Sequence, residues 1–185
     1  MGLADEYLYS PDVLLDLNLD NSSAKFNPKV SMLNPGEGLK VRPLAKEDYE
    51  RGFLQLLGEL TSVGDISREA WEARFDDLKA CKNTYYITVI EDTLLKKVIG
   101  AATLVVEKKF IHACGRVGRV EDVVVSNEYR GKQLGKLAVG ILQPLAKKLG
   151  CYKVTLNCTD AMMAYYTGLG YVAEKENANF LCLRL

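Results

Sequence analysis

One stretch of this sequence combines the residue types and spacing that hold phosphate. It reads Val123-Val124-Val125-Ser126-Asn127-Glu128-Tyr129-Arg130-Gly131-Lys132-Gln133-Leu134-Gly135-Lys136. An apolar strand runs into a short polar turn, then into the start of a long helical stripe. The first amides of a helix have no internal partner and sit at the positive end of its dipole. Gly131 and Gly135 let an anion approach the backbone, and basic side chains from Arg130 to Lys136 flank it. That chemistry is an anion cradle. The same two glycines would also serve a bare turn and close packing. A Walker A loop requires GxxxxGK followed by Ser or Thr. Here the glycines are closer together and Leu137 follows Lys136. A dinucleotide fingerprint, GxGxxG near the first strand of a βαβ unit, does not fit either.

The elements around the cradle are legible from periodicity. Leu134, Leu137, Ala138, Ile141, Leu142, Leu145 and Leu149 fall on one helical face. Lys147 and Lys148 suit the last turn of that helix, and Gly150 suits its cap. Pro144 predicts a kink, for which Gly140 leaves room. Upstream, Leu39–Pro43 reads as a strand and Lys46–Leu60 as a helix. Ser67 is the N-cap of a second helix that carries Trp71, Phe75 and Leu78 on one face. Thr84–Glu91, Val98–Glu107 and Val117–Val125 read as strands, the first two joined by a hairpin at Asp92–Lys97. The run Val123-Val124-Val125 implies burial on both faces. Tyr152–Leu156 is a short strand, and Asp160–Leu169 is a helix stopped by Gly170. Tyr171–Ala173 and Phe180–Arg184 form a closing pair. The order predicts an α+β domain around a mixed sheet. Residues 39–185 make up this domain, and residues 1–38, rich in turn signals, form an N-terminal extension.

Composition excludes several classes. The 185 residues hold 24 Lys plus Arg against 24 Asp plus Glu, without the basic excess expected of a nucleic-acid binder. No apolar run is long enough to span a bilayer, and the N-terminus lacks the basic and apolar blocks of a secretory leader. The cysteines Cys81, Cys114, Cys151, Cys158 and Cys182 are odd in number and form no CxxC pair. They read as free thiols in a reducing, cytoplasmic compartment, with no metal site.

Arg130–Gly135 resembles the signature (Gln/Arg)-x-x-Gly-x-(Gly/Ala) of the GCN5-related N-acetyltransferases, with Gln133 in the place of the usual middle glycine. The segments Pro35–Leu39, Glu107–His112, Gly118–Val125 and Gly150–Lys153 narrow the likeness. Over residues 35–185 the chain is similar to the glucosamine-6-phosphate N-acetyltransferases. The resemblance implies a central mixed, mostly antiparallel sheet flanked by helices. It implies that Arg130, Gly131, Lys132, Gln133, Leu134, Gly135 and Lys136 take the diphosphate of acetyl-coenzyme A. The strand Val123, Val124, Val125 would pair with its pantetheine arm. It further implies a homodimer with shared active sites.

For the acceptor, glucosamine 6-phosphate, the same resemblance implies contacts from Thr61, Lys109, Phe110, Ile111, His112, Glu121, Asp122 and Val123. Asn157 would lie near the substrate amine, and Arg184 would reach in from the other subunit. A phosphate dianion favours Arg or Lys with hydroxyl or amide donors. Acetyl would pass directly to the amine, with no covalent enzyme intermediate. A strand amide near Val123–Val125 would serve the oxyanion. Glu121 or Asp122 would receive the amine proton, and Tyr166 would supply one to the leaving thiol. Asn157 departs from the Asp or Glu usual at its place, and Met162 from an asparagine. Cys158, beside Asn157, is either a buried structural cysteine or a thiol close to the coenzyme. Two other readings stay open: a same-fold acetyltransferase for another amine or peptide, and a non-catalytic acyl-coenzyme A-binding partner protein.

Overall fold

A computed structural model of the chain describes residues 5–174. Its centre is a sheet in the order β1-β2-β3-β4-β5. The strands are β1 (Leu39–Pro43), β2 (Tyr85–Asp92), β3 (Lys97–Lys108), β4 (Arg116–Val125) and β5 (Cys151–Thr155). The first four pair antiparallel, and β5 joins β4 in parallel. The sheet is therefore mixed, as the order of elements predicts, and mostly antiparallel, as the family resemblance implies. The helices are α1 (Asp12–Leu15), α2 (Phe53–Gly58), α3 (Arg68–Ala80), the single turn α4 (Ile111–Cys114), α5 (Leu134–Lys148) and α6 (Met163–Thr167).

Both faces of the sheet are covered. Leu137, Ile141, Leu142 and Leu145 of α5 pack on Ile99, Leu104 and Val120. Phe53 and Leu56 of α2, with Trp71 and Phe75 of α3, pack on Val89, Val98 and Val124. Each such side chain contributes roughly 1.5–3 kcal/mol when fully buried. The Ser67 hydroxyl caps α3 by accepting from Ala70 N at 3.2 Å.

The single helix expected over Lys46–Leu60 is not formed. Residues Lys46–Tyr49 make a 3-10 turn, and α2 starts only at Phe53. Gly52 between them is left-handed, at φ 81°. Asp48 fixes the break. Buried, it accepts from Arg42 at 2.8 and 2.7 Å and from Ala45 N at 2.8 Å. The apolar spacing runs on through the break, so periodicity alone does not reveal it.

The N-terminal segment packs on the domain. Tyr7 bridges to Ala45, and Asp5 pairs with Arg51 at 2.7 Å. Leu8, Leu14, Ala24 and Met32 are buried. The chain then crosses α5 at Gly140. A Cβ there would come within 3.3 Å of Ala24 Cβ and of Phe26 Cζ. The room at Gly140 thus admits this segment, and α5 continues through Pro144 as one helix. Gln143 on the next turn accepts from Ser22 Oγ at 2.9 Å and Ser23 N at 2.7 Å, and donates to Leu169 O at 2.7 Å.

Two glycines end helices as predicted, both left-handed: Gly150 at φ 76° and Gly170 at φ 88°. At α6, Tyr171 N bonds Tyr166 O and Gly170 N bonds Thr167 O, the Schellman pair. The expected Asp160–Leu169 helix is a 3-10 turn at Asp160–Met162 followed by α6. Tyr171–Ala173 forms no strand with the described residues, and its expected partner Phe180–Arg184 lies outside them.

Candidate active site

β4 and β5 pair only at one end. Arg116 faces Cys151, and Arg119 faces Thr155. Beyond that point Val120–Val125 have no partner on the β5 side among the described residues. The edge of a parallel pair is thereby left open along the half of β4 that leads to the cradle. An extended chain bearing amides can add to such an edge. Val123, Val124 and Val125 lie on this half, their side chains packed alternately to the α5 side and the α2 side.

The open half carries a bulge. Ala101 faces Val124 while Thr103 faces Glu121, so β4 uses one residue more than β3. Asp122 takes up the excess at φ 50°. A bulge leaves an amide out of the ladder, the type of donor an oxyanion requires. Glu121 is ion-paired with Arg119. Asp122 is solvent-exposed as a residue, yet partial desolvation, and then the neighbouring Glu121 charge, lift its carboxyl above the ordinary aspartate range. A carboxylate so placed takes a proton more readily near neutrality than a free one.

The strand leads into the cradle. Ser126 is buried and its amide donates to Ile99 O at 2.8 Å. Asn127 N donates to Glu59 Oε2 at 2.8 Å, which ties the end of α2 to this turn. Gly131 (φ 80°) and Gln133 (φ 59°) are left-handed, and α5 starts at Leu134. The first intrahelical amide is that of Leu137, bonded to Gln133 O at 2.9 Å. The amides of Gly131 to Lys136 meet no acceptor among the described residues. Nothing lies within 4 Å of a Cβ placed on Gly131. At Gly135 a Cβ would stand 3.2 Å from Tyr165 Oη, so this glycine admits the tyrosine. Lys132 covers the Tyr129 ring at 5.0 Å. Successive free amides of alternating hand, with Arg130 and Lys132 beside them, fit a diphosphate.

α6 brings Tyr166 to the same side. Tyr166 and Val123 pack against one cluster with Leu169 and Val139. Burial, then the charge of Cys158, pushes the Tyr166 phenol above its ordinary range. It therefore stays protonated at neutral pH. Cys158 Sγ lies 3.7 Å from Met163 Sδ, and Asn157 and Met162 are exposed. Thr61 is exposed just past α2.

Lys109, Phe110, Ile111 and His112 sit elsewhere. They follow β3 and precede β4, so they mark the end of β4 opposite the cradle, about 30 Å from it at the rise of a strand. Phe110 is 94% exposed and Lys109 pairs with Glu107. His112, Ala113 and Cys114 are all left-handed, at φ 53°, 55° and 59°. Strain of this type collects at functional loops. The His112 ring lies 4.3 Å from that of Tyr152. Within one chain these four residues do not meet the cradle. Arg184 lies outside the described residues. Three contributors were missed in the sequence: Tyr165, Glu59 and the segment Ser22–Pro28. None has a local motif, because each acts through a contact distant in sequence.

A Drosophila melanogaster protein described as a probable glucosamine 6-phosphate N-acetyltransferase is 52% identical, covering 97% of this chain and 82% of its own. The Arabidopsis thaliana glucosamine 6-phosphate N-acetyltransferase is 39% identical over 72% of this chain and 90% of its own. The crystal structure of the Arabidopsis thaliana enzyme superposes with a TM-score of 0.73 at 36% identity, covering 77% of this chain and 97% of that one. Residues 45–171 match the acetyltransferase (GNAT) family. With its splayed β4–β5 pair, bulged strand and amide cradle, the chain belongs to the GNAT family of acetyltransferases.

Proposed function

We propose that this chain transfers acetyl from acetyl-coenzyme A to the 2-amino group of glucosamine 6-phosphate, yielding N-acetylglucosamine 6-phosphate. The observation that carries the reading is the edge of β4, open among the described residues, ending in six successive amides at Gly131–Lys136 that meet no acceptor among those residues. The names of the relatives at 52% and 39% identity supply the acceptor. The product class, an N-acetylated sugar phosphate, suits UDP-N-acetylglucosamine synthesis in the cytoplasm.

Acetyl-coenzyme A would supply an activated thioester. Arg130, Lys132 and the amides of Gly131 to Lys136 would hold its diphosphate, and Val123–Val125 would align its pantetheine amides. The bulge at Asp122 would aim a backbone donor at the carbonyl oxygen. Glu121 or Asp122 would take the amine proton, directly or through water, and the Tyr166 hydroxyl would protonate the departing thiol. Thr61, Glu121, Asp122, Val123 and Asn157 would bind the sugar. The distance of Lys109–His112 from the cradle in one chain favours a homodimer in which sites are shared, with Arg184 of the partner subunit on the sugar phosphate. No metal enters this scheme.

Thiol release from acetyl-coenzyme A tests the reading. Turnover is expected with glucosamine 6-phosphate and only weakly with glucosamine. Equal rates with the two acceptors refute the phosphate requirement. A folded protein that binds coenzyme A without turnover favours the non-catalytic alternative, for which the exposed Asn157 and Met162 are the motivating features: an amide accepts no proton at neutral pH, and Met162 replaces an asparagine.

A further inference from the structure

Among the described residues, Gln133 is the one cradle residue whose side-chain oxygen and nitrogen are both engaged. Its Oε1 accepts from Asn27 N at 3.1 Å, and its Nε2 donates to Pro28 O at 3.1 Å. Its backbone is left-handed, a conformation at home in glycine and unfavourable for a residue with a Cβ. Lys136 donates to Lys25 O at 2.8 Å, and its ammonium stands 5.8 Å from the Phe26 ring. A Cβ on Gly140 would stand 3.3 Å from Ala24 and Phe26 and 3.4 Å from Ser22, and Gln143 binds Ser22 and Ser23. Positions 136, 140 and 143 lie on one face of α5, and Gln133 caps the start of the helix. Read along that face, the segment Ser22–Pro28 runs antiparallel to the helix and ends at the cradle.

We propose that Ser22–Pro28 is a strap that sets the shape of the phosphate cradle, and that Gln133 is the positioning residue that fastens it. The inference rests on the reading that this cradle takes the coenzyme diphosphate. The strap holds the oxygen and the nitrogen of the Gln133 side-chain amide at once, which fixes the rotation of the turn between Gly131 and Leu134. An anion binds more tightly to donors that are already aligned. By linkage, the coenzyme must then order the strap to the same degree that the strap favours the coenzyme. Gln133 is not a catalytic residue in this scheme.

The test uses the full-length chain with Gln133→Ala and Gln133→Gly. Coenzyme A binding is followed by calorimetry, and hydrogen exchange by mass spectrometry over residues 19–33. Both variants should weaken coenzyme A by roughly threefold to tenfold, the scale of one or two hydrogen bonds. The KM for acetyl-coenzyme A should rise in parallel, with kcat little changed and the melting temperature within a few degrees of wild type. Coenzyme A should slow exchange of the strap in wild type and much less in the variants. Unchanged affinity in both variants overturns the inference. So does wild-type affinity in Gln133→Gly alone, which would trace the Ala effect to backbone strain. Strap exchange indifferent to coenzyme A in wild type also overturns it. Failure of the wild type itself to bind coenzyme A removes the cofactor reading first, and this inference with it.

Discussion

Gly170→Ala isolates the contact between the strap and the helix that carries Tyr166. A Cβ at Gly170 would stand 2.4 Å from Ser23 Cβ and 2.6 Å from Ser23 Oγ, with φ at +88°. Two costs follow. An L-residue in the left-handed region loses about 1–2 kcal/mol. The clash demands that Ser23 retreat from 2.4 Å to at least the 3.4 Å of ordinary contact. Ser23 is pinned by its amide bond to Gln143 at 2.7 Å, so the retreat disturbs a packed segment and costs about 1–3 kcal/mol. The sum is roughly 2–5 kcal/mol, or a fall in melting temperature of about 5–15 °C for a domain of this size. Differential scanning calorimetry measures it. Ser23→Gly is the informative second change, because the nearest strap atom left is Ser23 Cα at 3.9 Å. Compared with Ser23→Gly alone, the double variant should show only the backbone share of the loss. An undiminished loss would refute the argument from the clash, and a Gly170→Ala protein as stable as wild type would refute both parts.

Tyr166→Phe should lower kcat about a hundredfold while leaving both KM values nearly unchanged, as expected if its hydroxyl acts only on the leaving thiol; steady-state kinetics check this. Glu121→Gln should lower the Asp122 pKa, since the Glu121 carboxylate disfavours a second negative charge beside it. Carboxyl-carbon NMR titration reads the shift, and an upward movement would contradict the assignment. Asp48→Ala should cost about 3–5 kcal/mol in denaturant unfolding, because it strands Arg42, which is only 2% exposed. A loss under 1 kcal/mol would mean that Glu91, bonded to Arg42 at 2.7 Å, satisfies the guanidinium unaided.

The parts of the fold governed by local rules were legible in the sequence. β1 was bounded at Leu39 and Pro43, α5 by its leucine stripe, and the caps at Gly150 and Gly170 by the need for positive φ. The parts governed by distant contacts were not. The break at Gly52 depends on a carboxylate, Asp48, meeting an arginine on a neighbouring strand. The splay of β4 from β5 has no residue signal, since Val120–Val125 reads as an uninterrupted strand. The bulge at Asp122 shows only in the register against β3. Within the site, the cradle could be read as backbone chemistry because glycine and helix start mark it. The partners of Gln133 could not, as they are main-chain groups, and any sequence offers those everywhere.

Gln143 illustrates how much can depend on the two-sidedness of one amide. Its oxygen accepts two hydrogen bonds from the strap while its nitrogen donates one to Leu169 O, just past α6. Exchanging it for Glu, the nearest isostere, would set oxygen against oxygen at Leu169. Lys would offer no acceptor to Ser22 and Ser23. Three separate pieces of chain therefore share a single joint that tolerates neither charge, so surface redesign of this face has to leave position 143 alone.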